Sequence, residues 1–227
     1  MNMLNKEIKN ILEKSKKWGW VLEPDAKRIF SLSGFKTPKY AVAKTPDEAI
    51  AAASAIGYPV VAKIVSPDII HKSDVHGVVV GVKDDEQIVS VLKKFRKLPG
   101  FAEMLIDEMA KGVELIIGAK NDLQFGPMIL LGFGGVSVEI YKDIALRMAP
   151  LNINHVEEML KELKAYPMLT GYRGSKPVSI AAVQKTLIRF STLMMDMKDY
   201  FESVDLNPVM CDEKSCTVVD ARIMLKD

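Results

Sequence analysis

Apolar residues recur along this chain with two periods, and the two take turns from end to end. Residues 3–17 set Ile8, Ile11 and Leu12 on one face of a predicted surface helix. A second helix is predicted from Pro24 to about Ser33, stopped by Gly34. Thr45-Pro46-Asp47-Glu48 is a strong helix start: Thr45 caps, Pro46 takes the first helical position and Glu48 completes a capping box. The alanine-rich helix that follows ends at Gly57. Strands are then predicted at 59–65 and 77–83, short valine-rich runs bounded by glycine, proline and polar residues. Asp84 caps a helix of about 85–97, with Ile88, Val91, Leu92 and Phe95 as its apolar stripe. Strand 102–108 closes this half.

Strands are predicted next at 113–119, 127–132 and 144–148, the second broken at Gly132-Phe133-Gly134-Gly135. Asn152 or Asn154 caps a helix of about 155–164, and Ser179 opens a longer one to Met197. Val183, Leu187, Phe190, Met194 and Met197 face inward on it. Strands at about 201–207 and 216–223 make a terminal hairpin. Helix and strand signals alternating in this way argue for an α/β or α+β chain. The division expected is a helical extension over 1–22, a first lobe over 23–110 and a second over 111–227, joined near 108–113.

Composition narrows the function classes. At 227 residues the chain can bury a large core, and 48% hydrophobic with 26% charged residues is ordinary for a globular protein. A net charge of +2 gives no field that argues for nucleic acid or a membrane surface. No apolar run approaches the roughly 18–20 residues of a membrane span, and MNMLNKEIKNILEKSKKWGW lacks a signal-peptide core. The expectation is a cytoplasmic protein with no nucleic-acid or membrane partner. Cys211 and Cys216 make no metal framework, and two reduced thiols are the default reading in the cytosol.

The terminal hairpin carries more than its composition. With its turn centred between Glu213 and Lys214, facing residues sum to 427, so Asn207 faces Asp220 and Asp205 faces Arg222. Val204 and Leu206 then point the other way with Val219, Ala221 and Ile223. Facing Cβ atoms lie about 4.5–5.5 Å apart. An amide oxygen and a carboxylate at that separation suit Mg²⁺, while a plain polar hairpin face is the other reading. Asp205 with Arg222 reads as a supporting ion pair, and Pro208 as the end of the first strand. Cys211 faces Cys216 in this register, which permits a disulfide.

The stretch 58–82, YPVVAKIVSPDIIHKSDVHGVVVGV, puts Lys63 on a strand beside Val61 and Val65, and His71 on the loop after it. A lysine buried in such a run needs an anion, for which a nucleotide phosphate is one candidate. The alternative is a strand-end lysine snorkelling to water. His71 has three readings: a phosphate contact, a phosphorylated nucleophile, or a surface loop residue. Imidazole attacks phosphorus well near neutral pH, and covalent capture splits a transfer into two easier steps. Lys72 beside it would offset the charge of the transferred group, and His76 would pack at the start of the next strand. The backbone of Glu108, Met109 and Ala110 could pair with an adenine edge and the Glu114 carboxylate could take ribose hydroxyls, while the other reading is two solvated glutamates around a glycine turn.

Together these segments resemble a known family, the β subunits of ADP-forming acetyl-CoA synthetases, which are ATP-grasp proteins. The resemblance covers essentially the whole chain. It rests on the 58–82 stretch, EMAKGVELIIGAKNDLQFGP, GFGGVSVEIYKDIALRMAPL, LTGYRGSKP, and VDLNPV with VVDARI. It implies an α+β ATP-grasp fold of two α/β lobes holding ATP or ADP. The implied reaction is acyl-CoA + ADP + phosphate ⇌ acid + CoA + ATP. It also implies a separate CoA-binding α subunit in an α2β2 heterotetramer. His71 would be a phosphohistidine on the way to ADP, Lys63 the phosphate lysine and Glu108 to Ala110 the adenine hinge. Glu114 would be the ribose carboxylate, and Asn207 and Asp220 the Mg²⁺ ligands. Related succinyl-CoA synthetases carry a glycine-rich loop where this chain has Asp68 to Lys72. No Gly-rich dinucleotide-type motif appears, so the expectation is that the chain does not catalyse the full reaction alone. The alternatives are another ATP-grasp ligase subunit and a non-catalytic nucleotide-sensing module.

Overall fold

The computed structural model describes residues 4–134, 143–174 and 176–226. Two compact units divide the chain: residues 38–110, and residues 1–37 together with 111–227. Residues 1–37 belong with the C-terminal half rather than with residues 38–110. The reason is pairing. Strand β1 (Trp20–Val21) runs antiparallel to the last strand, β11 (Arg222–Leu225), with Val21 opposite Ile223. Ala26, Ile29 and Phe30 of helix α2 (Glu23–Leu32) join the core of that same unit.

The unit 38–110 is a four-stranded antiparallel sheet in the order β2-β5-β3-β4, with two helices. Its strands are β2 (Tyr40–Ala43), β3 (Val60–Val65), β4 (Val78–Val82) and β5 (Glu103–Glu108), and its helices α3 (Pro46–Ile56) and α4 (Asp85–Phe95). Thr45 Oγ1 accepts the Glu48 N–H at 3.3 Å while the Glu48 carboxylate accepts the N–H groups of Lys44 and Thr45. This capping box starts α3 where the sequence predicts. Asp84 likewise accepts the Gln87 N–H and starts α4. Ala49 and Ala53, Ile88, Val91, Leu92 and Phe95 pack on Val60, Ala62, Ile64, Met104 and Ile106, so the helices cover one face of the sheet.

The other unit holds a seven-stranded sheet in the order β1-β11-β9-β6-β7-β8, with β10 also on β9. Its further strands are β6 (Val113–Asp122), β7 (Gly126–Phe133), β8 (Ile144–Met148), β9 (Phe201–Cys211) and β10 (Cys216–Val218). Its helices are α1 (Lys6–Ser15), α2, α5 (Ile153–Glu162), the short α6 (Tyr166–Leu169) and α7 (Ile180–Met197). Asn152 caps α5, and the His155 side chain takes the place of the usual glutamate by accepting the Asn152 N–H. The pairs within both sheets are antiparallel, which settles the class as α+β. Among the described residues no helix is long and apolar enough to cross a membrane.

Candidate active site

Lys63 lies on the sheet face that α3 and α4 do not cover, beside Val61 and Val65. It is 3% exposed, so it does not snorkel to water. Its Nζ stands 3.1 Å from Oδ2 of Asp107, which is fully buried. Asp107 is opposite Val61 in the β3–β5 ladder, one pleat along from Leu105, which is opposite Lys63. The anion that a buried lysine requires is therefore supplied within the sheet. Sequence reasoning missed Asp107, because nothing local says that strand 103–108 lies beside strand 60–65.

His71 sits exposed at the start of a 3₁₀ turn over Lys72–Val75. The loop around it is pinned at both ends. Ser66 Oγ donates to the Pro99 carbonyl at 2.8 Å and accepts the Asp68 N–H, and Ile69 is buried in the core of the unit. On the far side Gly77 donates to the Lys72 carbonyl at 2.7 Å and accepts the Ile64 N–H. A side chain at Gly77 would collide with Ile64 and the Lys72 carbonyl, so glycine is required for this closure. Lys72 is half-buried beside the histidine. His76 does not pack at the start of the strand as expected: it is exposed, with φ at 52° in the left-handed region, because it ends the 3₁₀ turn.

At the hinge the N–H of Glu108 donates to the Lys39 carbonyl at 2.9 Å, and its carboxylate accepts the Lys39 N–H at 3.2 Å. That amide is committed and does not serve an adenine edge. Met109 and Ala110 are half-buried just beyond it. Glu114, in the other unit, is exposed on β6 opposite Met210, and its carbonyl accepts the Gly134 N–H at 2.7 Å. Residues 135–142, within the GFGGVSVEIYKDIALRMAPL segment, and Ser175 of LTGYRGSKP lie outside the described residues.

The terminal hairpin keeps the predicted register. Cys211 pairs with Cys216, Val209 with Val218, Asp205 with Arg222 and Val204 with Ile223, each summing to 427. Between the two runs the ladder is interrupted, and Asn207 and Asp220 fall in the gap, bracketed by a Val219 N–H to Pro208 carbonyl bond at 3.1 Å. They are thus matched in register without being a ladder pair. Asn207 is exposed and Asp220 half-buried, while Leu206 and Ala221 are buried on the other side. Val219, expected in the core, is only half-buried, and Val218 is buried instead. Pro208 does not end the strand either. β9 runs on to Cys211, because the register against β6 slips between Leu115 and Ile117 and accommodates a residue with no N–H. Arg222 Nη2 lies 3.3 Å from Asp205 Oδ2, as predicted. Cys211 and Cys216 form a disulfide, with Cα atoms 4.2 Å apart.

One amide oxygen and one carboxylate, side by side on a strand gap, are a donor set that fits Mg²⁺, which keeps waters and substrate phosphates as its other ligands. Among the described residues no cluster of three or more His, Cys, Asp or Glu forms an all-protein metal cage.

The ATP-grasp domain family matches residues 13–225. The chain is also 39% identical over 228 residues to the β subunit of acetate–CoA ligase (ADP-forming) I of Pyrococcus furiosus, covering 96% of this chain and 98% of that one. The chain belongs to the β-subunit family of ADP-forming acetate–CoA ligases. An acetyl-coenzyme A synthetase of Candidatus Korarchaeum cryptofilum, solved with coenzyme A and Ca-AMPCP, superposes with a TM-score of 0.89 at 41% identity, over 96% of this chain and 99% of that chain. Another structure of that enzyme, with Mg-AMPPCP and a phosphohistidine segment pointing towards the nucleotide site, gives 0.84 at 39% identity, over 96% and 100%. The α+β ATP-grasp fold expected from the sequence holds.

Proposed function

We propose that this chain relays a phosphoryl group through His71 to ADP, as the nucleotide-binding subunit of an ADP-forming acyl-CoA synthetase. The observation that carries the reading is His71 itself: an exposed imidazole on a loop tied down at Ser66, Ile69 and Gly77. A ring nitrogen attacks the phosphorus of the incoming phosphoryl group, forming an N–P bond as the bond to the carrier breaks. A β-phosphate oxygen of ADP then attacks the same phosphorus, the N–P bond breaks, and the imidazole is regenerated as ATP forms. Lys72 offsets the charge on the transferred group.

Lys63 orients the nucleotide phosphates. Its pairing with Asp107 leaves the two side chains together neutral, so positioning rather than net charge is their contribution. Asn207 and Asp220 would hold Mg²⁺, which when bound neutralises charge on the phosphate oxygens. Met109 and Ala110 receive the adenine edge and Glu114 the ribose. The CoA-binding step belongs to an α partner in an α2β2 assembly in the cytoplasm.

The test is ATP formation from acetyl-CoA, ADP and phosphate by the chain with its partner. His71→Ala is expected to lower the rate by at least about 10³-fold while Mg-ATP affinity stays within about twofold of wild type. Turnover near wild type would remove the covalent role. Nucleotide binding without turnover in the wild type would make the chain a sensing module.

A further inference from the structure

We propose that a cleft along α7 is a binding site for an anion carrying an apolar tail. Two cavities adjoin on that helix. One, of about 180 Å³, lies between Ala182, Lys185, Thr186 and Arg189, the segment after α2, and the β9–β10 turn. The other, of about 610 Å³, continues along Ile188, Thr192 and Leu193 to Asp196, against α1 and the end of α2. Lys185 and Arg189 line both, so the two form one trough. From residue 182 to 196 it is roughly 21 Å long at 1.5 Å per helical residue.

Charge is concentrated toward one end: Lys36 and Lys214 line only the first cavity, beside the shared Lys185 and Arg189, and no carboxylate lines it among the described residues, whereas Asp196 lines the second. The carboxylate of nearby Asp212 accepts the turn N–H groups of Lys214 and Ser215 at 2.7 and 2.8 Å. Lys36 Nζ is held by Ser215 Oγ at 2.9 Å, and Arg189 donates to the Gly34 carbonyl and lies over the Phe35 ring. These cations are set in place before any anion arrives, which favours recognition of a phosphate or carboxylate head. The second cavity is lined by Leu4, Ile8, Leu32, Ile188 and Leu193, with polar groups that include Ser33, Thr192 and Asp196.

A small ligand fits better than a protein partner. Ile8 is 3% and Leu193 6% exposed, so the apolar surface lies at the bottom of a cleft, whereas the strongly exposed apolar side chains, such as Leu123 and Phe125, lie elsewhere. The larger cavity falls within the roughly 300–1,000 Å³ of small-molecule sites. None of these residues is assigned to phosphoryl transfer, and the proposal stands apart from that reading.

Calorimetry on the full chain decides it, using octyl phosphate, octanoate, inorganic phosphate and 1-octanol below any micelle concentration. At least one of the two amphipathic anions is expected to bind about tenfold or more tightly than both inorganic phosphate and octanol, and the better head group identifies the ligand class. Lys185→Glu with Lys214→Glu, both on the surface, should weaken that binding by about tenfold or more, with Mg-ATP affinity unchanged. Amphipathic anions that bind no more tightly than inorganic phosphate, or equally well to the double variant, overturn the site. Loss of Mg-ATP binding by the wild type would instead count against the proposed function alone.

Discussion

The two sheets carry charge in opposite ways. In the four-stranded sheet Lys63 and Asp107 are both out of water, 3.1 Å apart. In the seven-stranded sheet Asp205 and Arg222 also pair across strands, at 3.3 Å, yet each side chain keeps 28–37% of its exposure. A buried pair is weak evidence for stability, since desolvation offsets most of the Coulomb attraction, but removing one partner strands a charge. A half-exposed pair contributes little either way. On the proposed function the difference has a purpose: the buried pair would fix Lys63 for the nucleotide phosphates, while exposed Asn207 and half-buried Asp220 would stay open to an exchangeable metal.

Substitutions test this contrast, from the largest expected effect to the smallest. Asp107→Ala should cost about 3–5 kcal/mol of stability, read from the denaturant midpoint, because Lys63 is left buried without its carboxylate. Replacing both, Lys63→Met with Asp107→Leu, should restore the midpoint to wild type or above while Mg-ATP affinity falls by at least about tenfold. A double variant that folds and binds nucleotide normally would make the pair structural only. Arg222→Ala should move the midpoint by less than about 1 kcal/mol. If it costs as much as Asp107→Ala, the contrast collapses.

The smallest effect is a pH dependence at the hairpin turn. The backbone N–H groups of Lys214 and Ser215 hold the Asp212 carboxyl below the usual carboxylate range. A depressed folded-state value means stabilisation fully present above the unfolded value of about 3.9 and lost as pH falls through the folded one. Asp212→Asn should remove that acid-side loss at the turn, which the amide shifts of Lys214 and Ser215 in an NMR titration report.

Much of this was legible in sequence because it is local. Thr45 with Glu48, Asp84 and Ser179 are each set by residues a few positions apart and the 427 register by a single tight turn, and all appear as predicted. What was missed depends on neighbours distant in sequence. Asp107 meets Lys63 only because β5 inserts between β2 and β3. Pro208 continues its strand only because β6 slips opposite it. Residues 23–37 join the C-terminal unit because β1 pairs with β11. The roles of Glu108 and Glu114 were read from their place around the Gly112 turn and from the resemblance, and the structure adds that the Glu108 amide is taken by Lys39.

The most direct test of the account is the covalent intermediate. The chain is incubated with γ-labelled ATP and Mg²⁺ and then split between acid and base. The account predicts label that is lost in acid, survives in base, maps to the peptide containing His71 and disappears on adding ADP. Label absent from the wild type, or retained in His71→Ala, would contradict it.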